Sequence, residues 1–163
     1  MKREGRPGLI ARDVDQAAKG SGIEEDLDLT LSTQRISIKS RRDKQVIDIT
    51  DNVERAVASL GKKEGLCNVF VLHTTAGITT GEAIEGTDED LMETLERIIP
   101  EIRFRHAHDP SHAPDHMISS ILGPSVTVPI HNGKLILGTW QRVLLVECNG
   151  PRERDVAVTV VPA

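Results

Sequence analysis

Apolar and polar positions alternate with a period of two along much of the chain, and the places where that period changes mark its elements. Leu27, Leu29 and Leu31 are apolar at every second position, and Ile36 and Ile38 resume in the opposite phase, which predicts one strand interrupted by a bulge. A charged turn from Ser40 to Lys44 leads to Val46, Ile47 and Ile49, a second strand expected to pair with the first as a hairpin. From Thr50 the period lengthens. Val53, Ala56, Val57 and Leu60 form one helical face, Thr50 or Asp51 can cap it with Glu54 in capping-box position behind Asp51, and Gly61 marks the stop. Leu66 to His73 is apolar nearly throughout, as expected of a central strand covered on both faces. The following Thr74 to Glu82, rich in small and hydroxylated residues, can crowd a ligand with backbone donors.

Thr87, followed by Asp88, Glu89 and Asp90, starts a second helix, with Leu91, Leu95, Ile98 and Ile99 expected to face inward and Pro100 to end it. Beyond a histidine-dense loop, Met117 to Leu122 reads as one short helical turn before Gly123-Pro124. Three strands follow, Val126 to Ile130, Lys134 to Gly138 and Val143 to Glu147, the first two joined through Asn132-Gly133. Val156, Val158 and Val160 close the chain with a clean alternation. Hairpin strands with two or three intervening helices predict an α+β fold: a single domain with a largely antiparallel β-sheet or sandwich. Neither a regular βαβ alternation nor a GxGxxG or GxxxxGK[ST] loop occurs.

Length and charge narrow the function classes. A chain of 163 residues can bury roughly 70% of its unfolded surface around one core. Met1 to Asp26 carries few large apolar residues, so residues 1–26 read as a flexible extension and 27–163 as the folded domain. Aromatic residues make up 2%, with no tyrosine, and the formal charge is −5, which argues against nucleic acid as a partner. Cys67 and Cys148 lie in apolar runs without CxxC spacing, as buried reduced thiols of a cytoplasmic protein would. No run approaches the roughly 18 apolar residues of a membrane span, so no membrane association is expected.

The candidate chemistry is concentrated between His106 and Glu147, where His106, His108, His112, His116 and His131 lie with the single tryptophan, Trp140. Imidazoles in one loop can meet around zinc or a related metal, or form a solvated polar loop; Pro114 argues against a continuous helix presenting His112 and His116 together. His73 ends an apolar strand, as a metal ligand, a general base or a histidine bonded to its own loop would. Glu82 and Glu147 can ligate metal, orient a histidine or act as bases, and Glu147, among apolar neighbours, can equally make a structural hydrogen bond. Asp109 and Asp115 read as loop formers. Trp140 can cover a flat ring while Gln141 reads a polar edge, or it can be a core residue. Arg152 and Arg154, after a Gly-Pro turn, suit a phosphate or a solvated turn.

Four motifs in order, HTTAGITTGE at His73 to Glu82, HMISSILGPS at His116 to Ser125, GTWQ at Gly138 to Gln141, and Glu147 with Gly150-Pro151-Arg152, resemble the YjbQ-like family, named for secondary thiamine-phosphate synthase activity. The resemblance covers most of Leu27 to Val161. It implies a small α+β fold, a homotrimer and a site between subunits that takes a phosphorylated small molecule. Its implied metal ligands are His73, His106 and His116, its catalytic residues His73, Glu82, His116 and Glu147, and its substrate contacts Thr74, Thr75, Trp140, Gln141 and Arg152; His108 and His112 have no firm counterpart in the family and are held as secondary ligands. Gly81, Ile118 and Arg142 depart from the residues usual in the family, respectively Asn, a basic residue and Gly. The activity implied is a transfer joining hydroxymethylpyrimidine diphosphate to thiazole phosphate, with zinc or magnesium. A zinc-type metal-dependent hydrolase and a non-enzymatic trimeric ligand-binding protein are the rival expectations.

Overall fold

The computed structural model describes residues 30–107 and 109–163. The expected extension over 1–26, together with Leu27, Leu29 and His108, lies outside them. The elements in chain order are β1 (Ser32–Lys39), β2 (Gln45–Asp48), α1 (Thr50–Leu60), β3 (Gly65–Val71), β4 (Ala76–Glu82), α2 (Thr87–Ile98), a 3-10 turn (Pro110–His112), α3 (Ala113–Leu122), β5 (Ser125–His131), β6 (Lys134–Leu135), β7 (Gln141–Glu147) and β8 (Glu153–Pro162). Two sheets result, a five-stranded one in the order β1-β8-β3-β5-β6 and a three-stranded one in the order β2-β7-β4. Every pairing is antiparallel, as the α+β expectation required.

The inward phase of β8, Val156, Val158 and Val160, meets Cys67, Val69 and Val71 of β3 and Val143 and Leu145 of β7 in the main core. Val53, Ala56 and Val57 of α1 enter the same core, so the helical period read from the sequence is the one the fold buries. A second apolar cluster, Leu95, Ile118, Val146 and Cys148, joins α2 and α3 to the other face of β7. Burial pushes the Cys67 and Cys148 thiols up to about 11 and about 12, and both are unpaired.

Several expectations are corrected. β1 and β2 do not form a hairpin: β1 pairs with β8 and β2 with β7, in different sheets. No bulge interrupts β1, whose register against β8 runs unbroken from Ser32 to Lys39. The strand covered on both faces is β7 rather than β3, because β3 is central but its outward residues Leu66 and Phe70 are exposed. Most of Thr74 to Glu82 is strand β4, its backbone spent on β7 rather than offered to a ligand. α1 begins without a capping box; Asp48 Oδ1 instead accepts from both the amide (2.9 Å) and the hydroxyl (2.6 Å) of Thr50. Ile98 is exposed. α3 is a full helix because Pro114 sits in its first turn, where a missing N–H costs nothing. β6 is only two residues long, and Asn132 and Gly133, with φ of 52° and 76°, make the tight turn before it.

Candidate functional site

The two sheets are tied together where β7 ends and β8 begins. Glu147, on the core-facing phase of β7, and Arg154, in phase with Val156 on β8, are 0% and 2% exposed and face each other. Arg154 Nε donates to Glu147 Oε2 at 2.7 Å, and its Nη2 donates to Oε1. The carboxylate also takes the Asn149 amide at 2.8 Å and the Ser40 hydroxyl at 3.0 Å. The same Nη2 also reaches the hydroxyl and carbonyl oxygens of Thr75 at 3.0 and 3.3 Å. A buried ion pair persists only when its desolvated polar atoms have other partners, and among the described residues no buried side-chain nitrogen or oxygen lacks one. Desolvation pushes the Glu147 carboxyl up, but the Arg154 guanidinium, the Asn149 amide and the Ser40 hydroxyl outweigh it and hold the carboxyl below its ordinary range. Glu147 therefore takes the structural hydrogen-bonding role left open by its sequence.

The pair fixes the loops around it. Ser40 Oγ accepts the Arg152 amide at 2.7 Å, and the Cys148 amide donates to Thr75 at 3.0 Å. Thr74 and Arg152 are exposed beside these held backbones. His73, half-buried, accepts the Asp155 amide at Nε2 (2.9 Å), which places the proton of its neutral ring on Nδ1. Burial first, and then the neighbouring Arg154, lower its pKa against the opposing pull of Asp155 and Glu147.

α3 packs against β4. Ser119 Oγ donates to the Ala76 carbonyl at 2.7 Å and fixes the helix against β4. Asp115, in the first helical turn and 6% exposed, accepts from Asn149 Nδ2 at 3.0 Å and lies 3.6 Å from Lys44 Nζ. It is no mere loop former. The His116 ring stacks on that of His106, with centroids 4.9 Å apart and planes inclined by 23°. Asp109 has the expected loop role, its Oδ1 receiving the amide and hydroxyl of Ser111 at 2.9 and 2.7 Å. His112 lies 3.6 Å from Asp109 Oδ2, and His131 is bound to Glu64 at 3.0 Å. Among the described residues no three His, Cys, Asp or Glu side chains are gathered to hold a metal ion.

The other predicted site residues stand elsewhere. Glu82 pairs with Gln141 at the start of β7, six residues from Glu147, a separation of about 20 Å at strand rise. Gln141 Nε2 donates to Thr80 at 3.2 Å, and Trp140 is 66% exposed and not in the core. Within one chain His73, Thr75, Glu147 and Arg152 share one end of the three-stranded sheet, while Glu82, Trp140 and Gln141 share the other. Asn149, Ser40 and Asp115 were missed as site residues, and Arg154, expected to suit a phosphate or a solvated turn, is instead buried against Glu147. Arg154 had a signal: it falls in the inward phase of the β8 alternation, where a charge demands a buried partner.

Comparison with known proteins agrees with this architecture. The family described as UPF0047 protein YjbQ-like matches residues 34–163. A UPF0047 protein of Mycobacterium tuberculosis is 42% identical over 126 residues, 76% of this chain and 92% of that protein. One from Archaeoglobus fulgidus is 41% identical over 124 residues, covering 76% and 96%. A crystal structure of a YbjQ-like protein of unknown function from Sulfolobus solfataricus superposes with a TM-score of 0.76 at 34% identity, covering 82% of this chain and 99% of that one. An uncharacterized member of the YjbQ/UPF0047 family from Clostridium acetobutylicum gives 0.72 at 38% identity, covering 78% and 99%.

Proposed function

This chain belongs to the UPF0047 YjbQ-like family, and on that premise we propose a transferase of the thiamine-phosphate synthase type, acting on phosphorylated small molecules at a site completed between the copies of a homotrimer. One observation carries the reading: the buried Glu147–Arg154 pair is hydrogen-bonded to Thr75 and to the Asn149 amide, and Ser40 accepts the Arg152 amide, while the side chain of Arg152 lies at the surface beside them. A guanidinium on a fixed backbone receives phosphate oxygens in two-point fashion and stabilises a departing diphosphate without reorganising. In the transfer, the thiazole nitrogen lone pair forms the new C–N bond as the C–O bond to diphosphate breaks, and the leaving group carries away the electron pair. His73, with its proton on Nδ1, donates a hydrogen bond to the phosphate.

Exposed Trp140, about 20 Å away along β7, borders the pyrimidine ring only if it comes from a neighbouring copy. Association is supported by an exposed apolar row, Leu31, Val161, Leu66, Pro129 and Ile136, crossing the outer face of the five-stranded sheet. No helix among the described residues is long and apolar enough to cross a membrane, and the unpaired cysteines fit a cytoplasmic setting. Zinc or magnesium enters only as a requirement of the assembled protein, tested by sensitivity to chelators.

The experiment supplies hydroxymethylpyrimidine diphosphate with and without thiazole phosphate to the native protein and to His116→Ala. Coupled product that needs both substrates and falls in the variant supports the transferase. Diphosphate hydrolysis without the thiazole partner replaces it with a hydrolase, and binding without turnover replaces it with a ligand-binding protein.

A further inference from the structure

Asn149 stands between a group that can only donate and a group that can only accept. Its side-chain oxygen receives Arg152 Nη2, and its amide nitrogen donates to Asp115 Oδ2 at 3.0 Å. A guanidinium has no acceptor and an ionised carboxylate no donor, so one orientation of the amide satisfies both neighbours and the flipped one satisfies neither. Asp115 is itself held: it is buried in the first turn of α3, where negative charge is favoured, and Lys44 approaches its second oxygen at 3.6 Å. Lys44 is anchored in turn by Glu96 of α2 at 2.6 Å. The chain Lys44–Asp115–Asn149–Arg152 thus runs from the helical layer to an exposed arginine whose backbone is already fixed by Ser40.

We infer that Asp115 is a positioning residue: by fixing the polarity of the Asn149 amide it aims the Arg152 guanidinium, and so sets the affinity of the site for the phosphate of its substrate. This rests on the reading of Arg152 as the phosphate contact. An exposed arginine samples many rotamers, and selecting one before binding removes part of the entropy that binding would otherwise cost. Asp115 touches no substrate; its effect passes through Asn149.

Titration calorimetry of the native protein with inorganic diphosphate tests this, using Asp115→Asn, Asn149→Ala, Arg152→Ala and the double variant Asp115→Asn/Arg152→Ala. Asp115→Asn is nearly isosteric, and Asn149→Ala breaks the same relay if the first variant fails to fold. Each relay variant is expected to weaken diphosphate about 5- to 10-fold, with KM for the phosphorylated substrate rising and kcat little changed. The double variant is expected to bind no more weakly than Arg152→Ala alone, the non-additivity of residues acting through one another. A relay loss that simply multiplies with that of Arg152→Ala, or unchanged binding in both relay variants while Arg152→Ala is impaired, overturns the inference and leaves the phosphate reading standing. Unchanged binding in Arg152→Ala overturns the phosphate reading and with it this inference.

Discussion

Glu147 and Arg154 are seven residues apart in sequence, belong to different sheets, and form a fully buried ion pair that bridges them. Removing one partner strands the other in the core. Arg154→Met is expected to cost about 3–5 kcal/mol, since an uncompensated buried charge is far more expensive than a missing ion pair. The double variant Glu147→Leu/Arg154→Met regains much of that stability while the Thr75 and Asn149 loops lose their anchor. Urea denaturation of both variants measures the two effects, and a double variant as unstable as the single one would contradict this account of the pair.

Gly150 lies where the loop after β7 crosses the turn after β1. A Cβ there would meet the Arg42 carbonyl oxygen at 2.3 Å and Ser40 Oγ at 2.8 Å, and the Ser40 hydroxyl cannot withdraw without giving up its hydrogen bond to Glu147. Gly150→Ala is expected to destabilise by about 1–3 kcal/mol, the usual range for overpacking. A melting temperature equal to that of the unmodified protein would show that the loop yields.

The lowered pKa of His73 sets a sign for pH. As pH falls below the ordinary histidine value of about 6.5, the unfolded chain takes up a proton at this residue before the folded one does, so stability decreases with falling pH. Glu147 adds a second decline at more acidic pH, as its depressed carboxyl is finally protonated. His73→Gln keeps an acceptor for the Asp155 amide but does not titrate. Unfolding free energies between about pH 8 and pH 5 are expected to slope less in this variant, and identical slopes would locate the titration elsewhere.

Leu66 and Val161 face each other across β3 and β8 and are 48% and 45% exposed in the isolated chain. In the proposed trimer, replacing both with lysine is expected to shift sedimentation toward the single-chain mass while circular dichroism is retained. A trimer undisturbed by both lysines would move the interface off this face.

Most of the elements were legible in the sequence because burial imposes its period locally. Val156, Val158 and Val160 announce an inward strand phase, and Val53, Ala56, Val57 and Leu60 announce α1. Pairing was not legible. Nothing local in Val46 and Ile47 shows that their partner is Leu145 and Val146, about a hundred residues on, rather than Ile38. Exposure misled at β3, where Leu66 and Phe70 are as apolar as core residues yet point outward. At the site, the motifs pointed to Glu147 and Arg152 but not to Asp115 and Asn149. Their importance lies in donor and acceptor geometry, which composition does not encode.

The pairing of β1 with β8 also has a kinetic side. The backbone donors and acceptors of Ser32 to Lys39 find their sheet partner only after more than a hundred intervening residues have been synthesised, and β8 must insert between β1 and β3 rather than add at an edge. Closing so long a loop is entropically slow, so the nascent chain carries an unzipped seam as it leaves the ribosome. The same late strand brings Arg154 to Glu147, so the buried charge pair forms only with the last closure of the sheet.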